Sequence, residues 1–184
     1  MTIVQILNAV KKRIKTDIAA SYELQNPVYY EDSDTEGIPQ FVNPQVYLGS
    51  VPYGEPIPDQ EFREHTFPAM IIGFDEGLDD ESESFLRIRI TFVVYRAGEF
   101  DDETGDFSPD MNGYLDLMNM LERTRSSLRK QTVFYGEDDE VQATVQGPIK
   151  FGILKDQPWP YWYGYLIFDT DLPVADNEAI NWEY

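Results

Sequence analysis

The sequence predicts an α+β fold: a single domain spanning residues 1–184, with an antiparallel or mixed β-sheet flanked by two main helices. Three observations carry that prediction. Two stretches place apolar residues at helical spacing, and one long stretch alternates strictly as a strand does. The strands are grouped between and after the helices rather than alternating with them one by one, a pattern of antiparallel or mixed sheets.

Residues 2–20 put Ile3, Ile6, Leu7, Val10, Ile14 and Ile18 on one helical face. Thr2 and Gln5 have the spacing of a capping box. Lys11, Lys12, Arg13 and Lys15 follow past the middle, where the helix dipole favours cations. Residues 25–67 form a Pro-rich irregular segment, in which Pro27, Pro39, Pro44, Pro52, Pro56 and Pro58 interrupt any long element. It holds an acidic loop at Glu31–Glu36 and room for a short strand at Gln45–Val51. A connection of this length is unusual in a compact domain and marks a candidate functional arm.

Phe67–Phe74 reads as a buried strand, followed by an acidic turn at Asp75–Ser84. The clearest strand is Phe85–Arg96: Leu86, Ile88, Ile90, Phe92 and Val94 share one face, and Arg87, Arg89, Thr91 and Tyr95 the other. Joined by a loop, these two strands are expected to pair antiparallel. Ala97–Phe107 is a second acidic loop. Ser108-Pro109 is a helix start signal. The helix is expected to run to about Lys130, with Met111, Tyr114, Leu117, Met118, Leu121 and Leu128 as its apolar stripe. Arg123, Arg125, Arg129 and Lys130 complement its C-terminal end, and Gly113 weakens it locally. Glu137–Glu140 is a third acidic turn. Val141–Leu154 reads as one bent strand or two short ones broken at Gly147-Pro148, and Tyr161–Thr170 as the last strand. The tail, 171–184, has no usable period but ends in Trp182 and Tyr184, which suit docking better than solvation.

Composition narrows the function. Hydrophobic residues are 42% and aromatics 14%, too apolar for a disordered chain. With 34 acids against 14 bases the net charge is -20, which disfavours binding to phosphate backbones or anionic membranes and suits a surface that DNA slides past. No cysteine is present, so disulfide and thiol chemistry are excluded. Residues 1–20 do not resemble a secretory signal, and no apolar run approaches a bilayer span, so the expected place of synthesis and first action is the cytoplasm.

Chemistry-bearing motifs are sparse. The one histidine, His65, cannot make a His/Cys metal site, and it lacks a nucleophile-elbow partner. The best candidate for Ca²⁺, Asp101–Asp106, has Gly105 where an EF-hand needs an oxygen ligand. No dinucleotide-binding or P-loop glycine pattern occurs. Catalytic residues, cofactors and metals are therefore all expected to be none. The most distinctive stretch is Gln157-Pro158-Trp159-Pro160-Tyr161-Trp162-Tyr163-Gly164-Tyr165. Its aromatics suit core and interface packing, with a ligand-stacking platform as the alternative. Alternation puts Tyr161, Tyr163 and Tyr165 on one face, and Trp162, Leu166 and Phe168 on the other.

The layout of an N-terminal helix, the strand Phe67-Pro68-Ala69-Met70-Ile71-Ile72-Gly73-Phe74, the alternating strand Phe85–Arg96, the helix around Tyr114–Leu121 and the late Gln157–Trp162 strand resembles that of tail-terminator (tail-completion) proteins of long-tailed phages and prophages. The resemblance covers residues 1–170 in layout rather than in a diagnostic motif. It implies a structural subunit with no catalytic residues, a hexameric ring capping the tail tube and joining it to the head. The implied partners are further copies of the chain, a tail-tube protein and a head-completion or connector protein. DNA would pass through without specific binding, and the implied location is the host cytoplasm during assembly and then the virion. On that reading the acidic loops at 75–83, 99–106 and 137–140 would line the channel. Candidate interface residues are Trp159, Tyr161, Trp162, Arg87, Arg89, Arg125 and Arg129. Two rival readings are an acidic DNA mimic that inhibits a host nucleic-acid-binding protein, and a carbohydrate-binding module using Trp159, Tyr161 and Trp162.

Overall fold

The computed structural model describes residues 2–25, 41–51, 67–80, 83–96, 98–100, 103–108 and 110–171. His65, the loop Glu31–Glu36, most of the Pro-rich segment, Asp101, Asp102, Pro109 and the tail beyond Asp171 lie outside the described residues.

The chain opens with α1 (Ile3–Arg13), which continues as a π-helical stretch (Ile14–Ile18) and a 3₁₀ turn (Ala19–Ser21). The expected capping box forms: the Gln5 backbone N–H donates to Thr2 Oγ1 at 3.3 Å, and the Thr2 N–H donates to Gln5 Oε1 at 2.7 Å. Ile6, Val10, Ile14 and Ile18 turn inward. Three short strands follow, β1 (Leu24–Gln25), β2 (Phe41–Val42) and β3 (Gln45–Leu48), and then the hairpin of the long β4 (Ala69–Asp79) and β5 (Ser84–Tyr95). A two-residue ladder joins β6 (Glu99–Phe100) to β7 (Phe107–Ser108). After α2 (Asn112–Lys130) come β8 (Val133–Tyr135), β9 (Val141–Ile153) and β10 (Tyr161–Asp171).

Six strands form one mixed sheet in the order β3-β4-β5-β10-β9-β8. Only β3 and β4 run parallel; every other neighbouring pair is antiparallel. The centre is β5 and β10, paired without interruption from Tyr161↔Tyr95 to Asp171↔Phe85. Both helices pack on the same face. Ile6, Val10 and Ile14 from α1 and its continuation, and Leu117, Met120, Leu121 and Leu128 from α2, join Met70, Ile72, Leu86, Ile88, Ile90, Phe92, Leu166 and Phe168 in one apolar cluster. The strict alternation of β5 explains this: its inward set is wholly buried, while Arg87, Arg89 and Thr91 face the other way. Phe134 stacks on Phe168 at 5.9 Å, so the short β8 contributes a fully buried anchor.

Several expectations are corrected. The turn expected over Asp75–Ser84 is strand at both ends: β4 extends to Asp79 and β5 begins at Ser84, with the Asp80 N–H donating to Glu83 O between them. A register shift between Phe74 and Glu76 allows consecutive acids to reach two arginines on one face of β5, so the charge that suggested a loop is neutralised in a sheet. The second helix starts at Asn112, and Ser108 belongs to β7. Asp110 Oδ1, rather than a serine hydroxyl, accepts from the Asn112 N–H at 2.8 Å. Met111 and Met118 are 61% and 37% exposed and fall off the buried stripe, which uses Met120 and Thr124 instead. β9 is one continuous strand with an irregularity around Gly147-Pro148. β8, three residues long, is too short to show a strand period in the sequence.

Candidate functional site

The face of the sheet opposite the helices divides into two chemically different halves. At the β4–β5 hairpin end lies an ion-paired lattice. Arg87 donates from Nε to Asp169 Oδ1 at 2.8 Å and from Nη2 to Asp169 Oδ2 at 3.1 Å, and Nη1 reaches Glu76 Oε2. Arg89 grips Asp75, with Nη2 donating to Oδ2 at 2.6 Å and Nε to Oδ1 at 2.9 Å. These hydrogen bonds hold the Asp75 carboxyl below the usual aspartate range and raise both guanidinium groups. Each arginine also lies over a ring, Arg87 over Phe85 at 5.3 Å and Arg89 over Tyr165 at 5.6 Å. Two planar guanidinium forks are thus oriented on three strands at once.

The other half is aromatic. Tyr161 has Phe67 at 5.2 Å, Tyr95 at 5.5 Å and Tyr163 at 6.4 Å, ring centre to ring centre. Burial raises the Tyr161 and Tyr163 phenols, so both are neutral donors at any physiological pH. Gln157 pins the connection leading into β10: its Nε2 donates to the carbonyls of Leu154 and Tyr163, and its Oε1 accepts from the Tyr163 N–H. The Arg96 N–H donates to Pro160 O at 3.0 Å, tying the same turn to the end of β5.

The seven candidate interface residues therefore do not form one patch. Tyr161, Arg87 and Arg89 share the sheet face opposite α1 and α2. Trp159 lies in the turn before β10 and is 48% exposed. Trp162 is on the helix face, as alternation requires, packed against α2 with Tyr114 at 6.2 Å edge-on. Its Nε1 is buried and has no hydrogen-bond partner among the described residues. Arg125 and Arg129 project from α2: Arg125 pairs with Glu122 and lies over Phe151 at 5.5 Å, while Arg129 is exposed in the last turn.

Sequence reasoning missed Arg13 and Arg96. Arg13, in a run of four bases that reads as a solvated helix end, is buried; its Nη2 donates to Ser127 O at 2.6 Å, its guanidinium lies 5.2 Å over Phe134, and desolvation lowers its pKa. Arg96 clamps the end of β5 to the start of α2 through Asp116 at 2.8 Å and Asp110 at 4.0 Å. Neither is marked by a sequence motif: Ser127 and Phe134 lie far along the chain from Arg13, as Asp110 and Asp116 do from Arg96.

Among the described residues no group of three or more His, Cys, Asp or Glu side chains is placed to hold a metal ion. No helix among them is long and apolar enough to cross a membrane. Comparison with protein-family models and with curated proteins finds no match to this chain.

Proposed function

We propose that this chain is a structural subunit of a phage or prophage tail or neck, of the tail-terminator kind, which assembles with copies of itself into a ring that caps the tail tube and joins it to the head. The observation that carries this reading is the one-sided architecture. Both helices cover a single face of the sheet, and the opposite face carries arginines held by Asp75 and Asp169 beside tyrosines packed ring against ring. Pre-ordered Arg and Tyr side chains lose little rotamer freedom on docking, and they are the residue types that anchor protein interfaces.

Charge supports the same reading. A net charge of -20 gives DNA no reason to stall on the subunit. Of the three segments assigned to a channel wall, Glu137–Glu140 is a solvated turn between β8 and β9, whereas 75–79 is strand, with Asp75 and Glu76 already committed to arginines. The wall is therefore better assigned to 137–140 and to the acidic residues of 103–106 than to 75–83.

The carbohydrate reading loses one of its three residues, since Trp162 is packed beneath α2 and is unavailable to stack on a sugar. Adding the purified chain to polymerising tail-tube protein from the same genome tests the proposal. The expected outcome is tubes that stop growing, with a ring visible at one end by negative-stain microscopy. Tubes of unchanged length with no chain bound at their ends would overturn it. Binding to a host nucleic-acid-binding protein, competed away by duplex DNA, would instead establish the mimic.

A further inference from the structure

We infer that copies of this chain join edge to edge, the free stretch of β4 in one copy pairing antiparallel with the free stretch of β9 in the next, so that the sheet continues from subunit to subunit. The inference rests on the ring-subunit reading for its setting, but its argument is geometric.

The two outermost strands are short, and each leaves a notch. Parallel pairing with β3 covers β4 only from Ala69 to Ile72, ending with the Gly49 N–H on Ile72 O. Among the described residues nothing pairs with the rest of that edge, Gly73–Asp79. On the far side of the sheet, β8 covers β9 only from Val141 to Thr144, with the Val145 N–H on Thr132 O. Among the described residues the edge Gln146–Ile153 is likewise unpaired. The registers run Gly73↔Arg89↔Ile167↔Lys150 and Glu76↔Arg87↔Asp169↔Gln146, so the two notches are level over these residues and extend toward opposite ends of the sheet, and joining them takes a stagger along the strand direction. β4 runs antiparallel to β5, β5 to β10 and β10 to β9, so β4 and β9 point in opposite directions. A neighbouring copy in the same orientation therefore offers its β9 to this β4 in the antiparallel sense. Its β8 and this copy's β3 then abut the joined strands end to end, without overlap.

The backbone groups point the right way. The Asp80 N–H donates to Glu83 O within the hairpin, so by antiparallel alternation the peptide groups of Gly77 and Asp79 face outward. The Leu154 N–H donates to Tyr163 O, so those of Phe151 and Ile153 face outward on the other edge. Unpaired ladder groups of this kind are templates for strand addition.

Side chains complement one another. Beyond the acids already paired with Arg87 and Arg89, the β4 edge carries Asp79; the β9 edge carries Lys150, with Lys155 just beyond. Each edge exposes a large apolar residue on the helix-bearing face: Phe74 at 52% and Phe151 at 49%. The acids of β4 and Pro148 in the irregular part of β9 discourage indiscriminate pairing. They leave an edge that accepts a basic, apolar strand and rejects a copy of itself. Two different, complementary edges make a heterologous contact, the kind that closes into rings or runs on into filaments.

The test uses sedimentation of the full chain across concentration and salt, with two blocking variants. Phe151→Pro removes an outward N–H from the β9 edge, and Gly77→Pro removes one from the β4 edge. At Gly77 a Cβ would meet its nearest neighbours at 3.5 Å and 3.6 Å, an ordinary contact. Wild type is expected to form species larger than dimers. Each variant alone is expected to associate at least tenfold more weakly, and an equimolar mixture to give a dimer through the one intact edge on each partner. If circular dichroism shows a proline variant misfolded, the exposed pair Lys150→Glu/Phe151→Glu replaces it, with the same tenfold loss expected. A wild type that stays monomeric overturns the inference, as do folded variants that assemble like wild type. Assembly that ignores these edges leaves the ring reading standing. Edge-dependent assembly that never caps a tube would keep this inference and remove that reading.

Discussion

Replacing Gly113 with alanine should destabilise the protein, although helix propensity alone says the opposite. Within a helix, alanine is favoured over glycine by about 1 kcal/mol. At this position, however, an added Cβ would lie 2.2 Å from both Cδ1 and Nε1 of Trp162 and 3.1 Å from the Arg96 Cβ. A carbon cannot approach an indole so closely, so Trp162 or the first turn of α2 has to move. Trp162 is held against Tyr114 and the core cluster, and α2 is clamped by Arg96 to Asp116, so neither moves freely. Forcing a methyl group into such packing costs about 1–3 kcal/mol. With the propensity gain of about 1 kcal/mol subtracted, a net loss of up to about 2 kcal/mol is expected. In a domain of this size that lowers Tm by up to roughly 8 °C. Thermal melts followed by circular dichroism, with urea melts at fixed temperature, provide the measurement. The double variant Gly113→Ala/Trp162→Leu should be less destabilised than the sum of the two single changes, because the smaller side chain relieves the clash. A Gly113→Ala protein as stable as wild type, or more so, would refute the reasoning.

Three further outcomes are expected. Phe134→Ala removes a fully buried ring stacked on Phe168 and covered by Arg13, so equilibrium unfolding should show a loss of about 3–5 kcal/mol. Thr2→Ala deletes the acceptor for the Gln5 N–H and should cost about 1 kcal/mol, read as a lower Tm. The Arg89–Asp75 pair holds the Asp75 carboxyl below its ordinary value, so its contribution is fully present above about pH 4 and is lost as pH falls through the lowered value. Asp75→Asn should flatten that part of the acid-unfolding profile. Because the pair is partly solvated, stability at pH 7 should change by less than about 1 kcal/mol; an unchanged acid limb would show that the pair contributes nothing.

What the sequence determined by itself was the local, periodic part of this protein. The capping box at Thr2 and Gln5, the inward set of β5 and the split of Tyr161, Tyr163 and Tyr165 from Trp162 all follow from spacings of a few residues, because side-chain direction repeats every 3.6 residues in a helix and every 2 in a strand. Charge at −20 and the absence of cysteine bounded the chemistry in the same direct way. What only the tertiary structure decided depends on partners distant in the chain. Asp75 and Glu76 look like a solvated turn until Arg89 and Arg87 lie beside them across the hairpin. Arg13 looks like surface until Ser127 and Phe134 enclose it, and Gly113 looks like a weak point until Trp162 occupies the space its missing side chain leaves. Burial and pairing are properties of the assembled sheet and helices, so a residue's neighbours across space, not its neighbours along the chain, set whether its charge is neutralised and its volume tolerated.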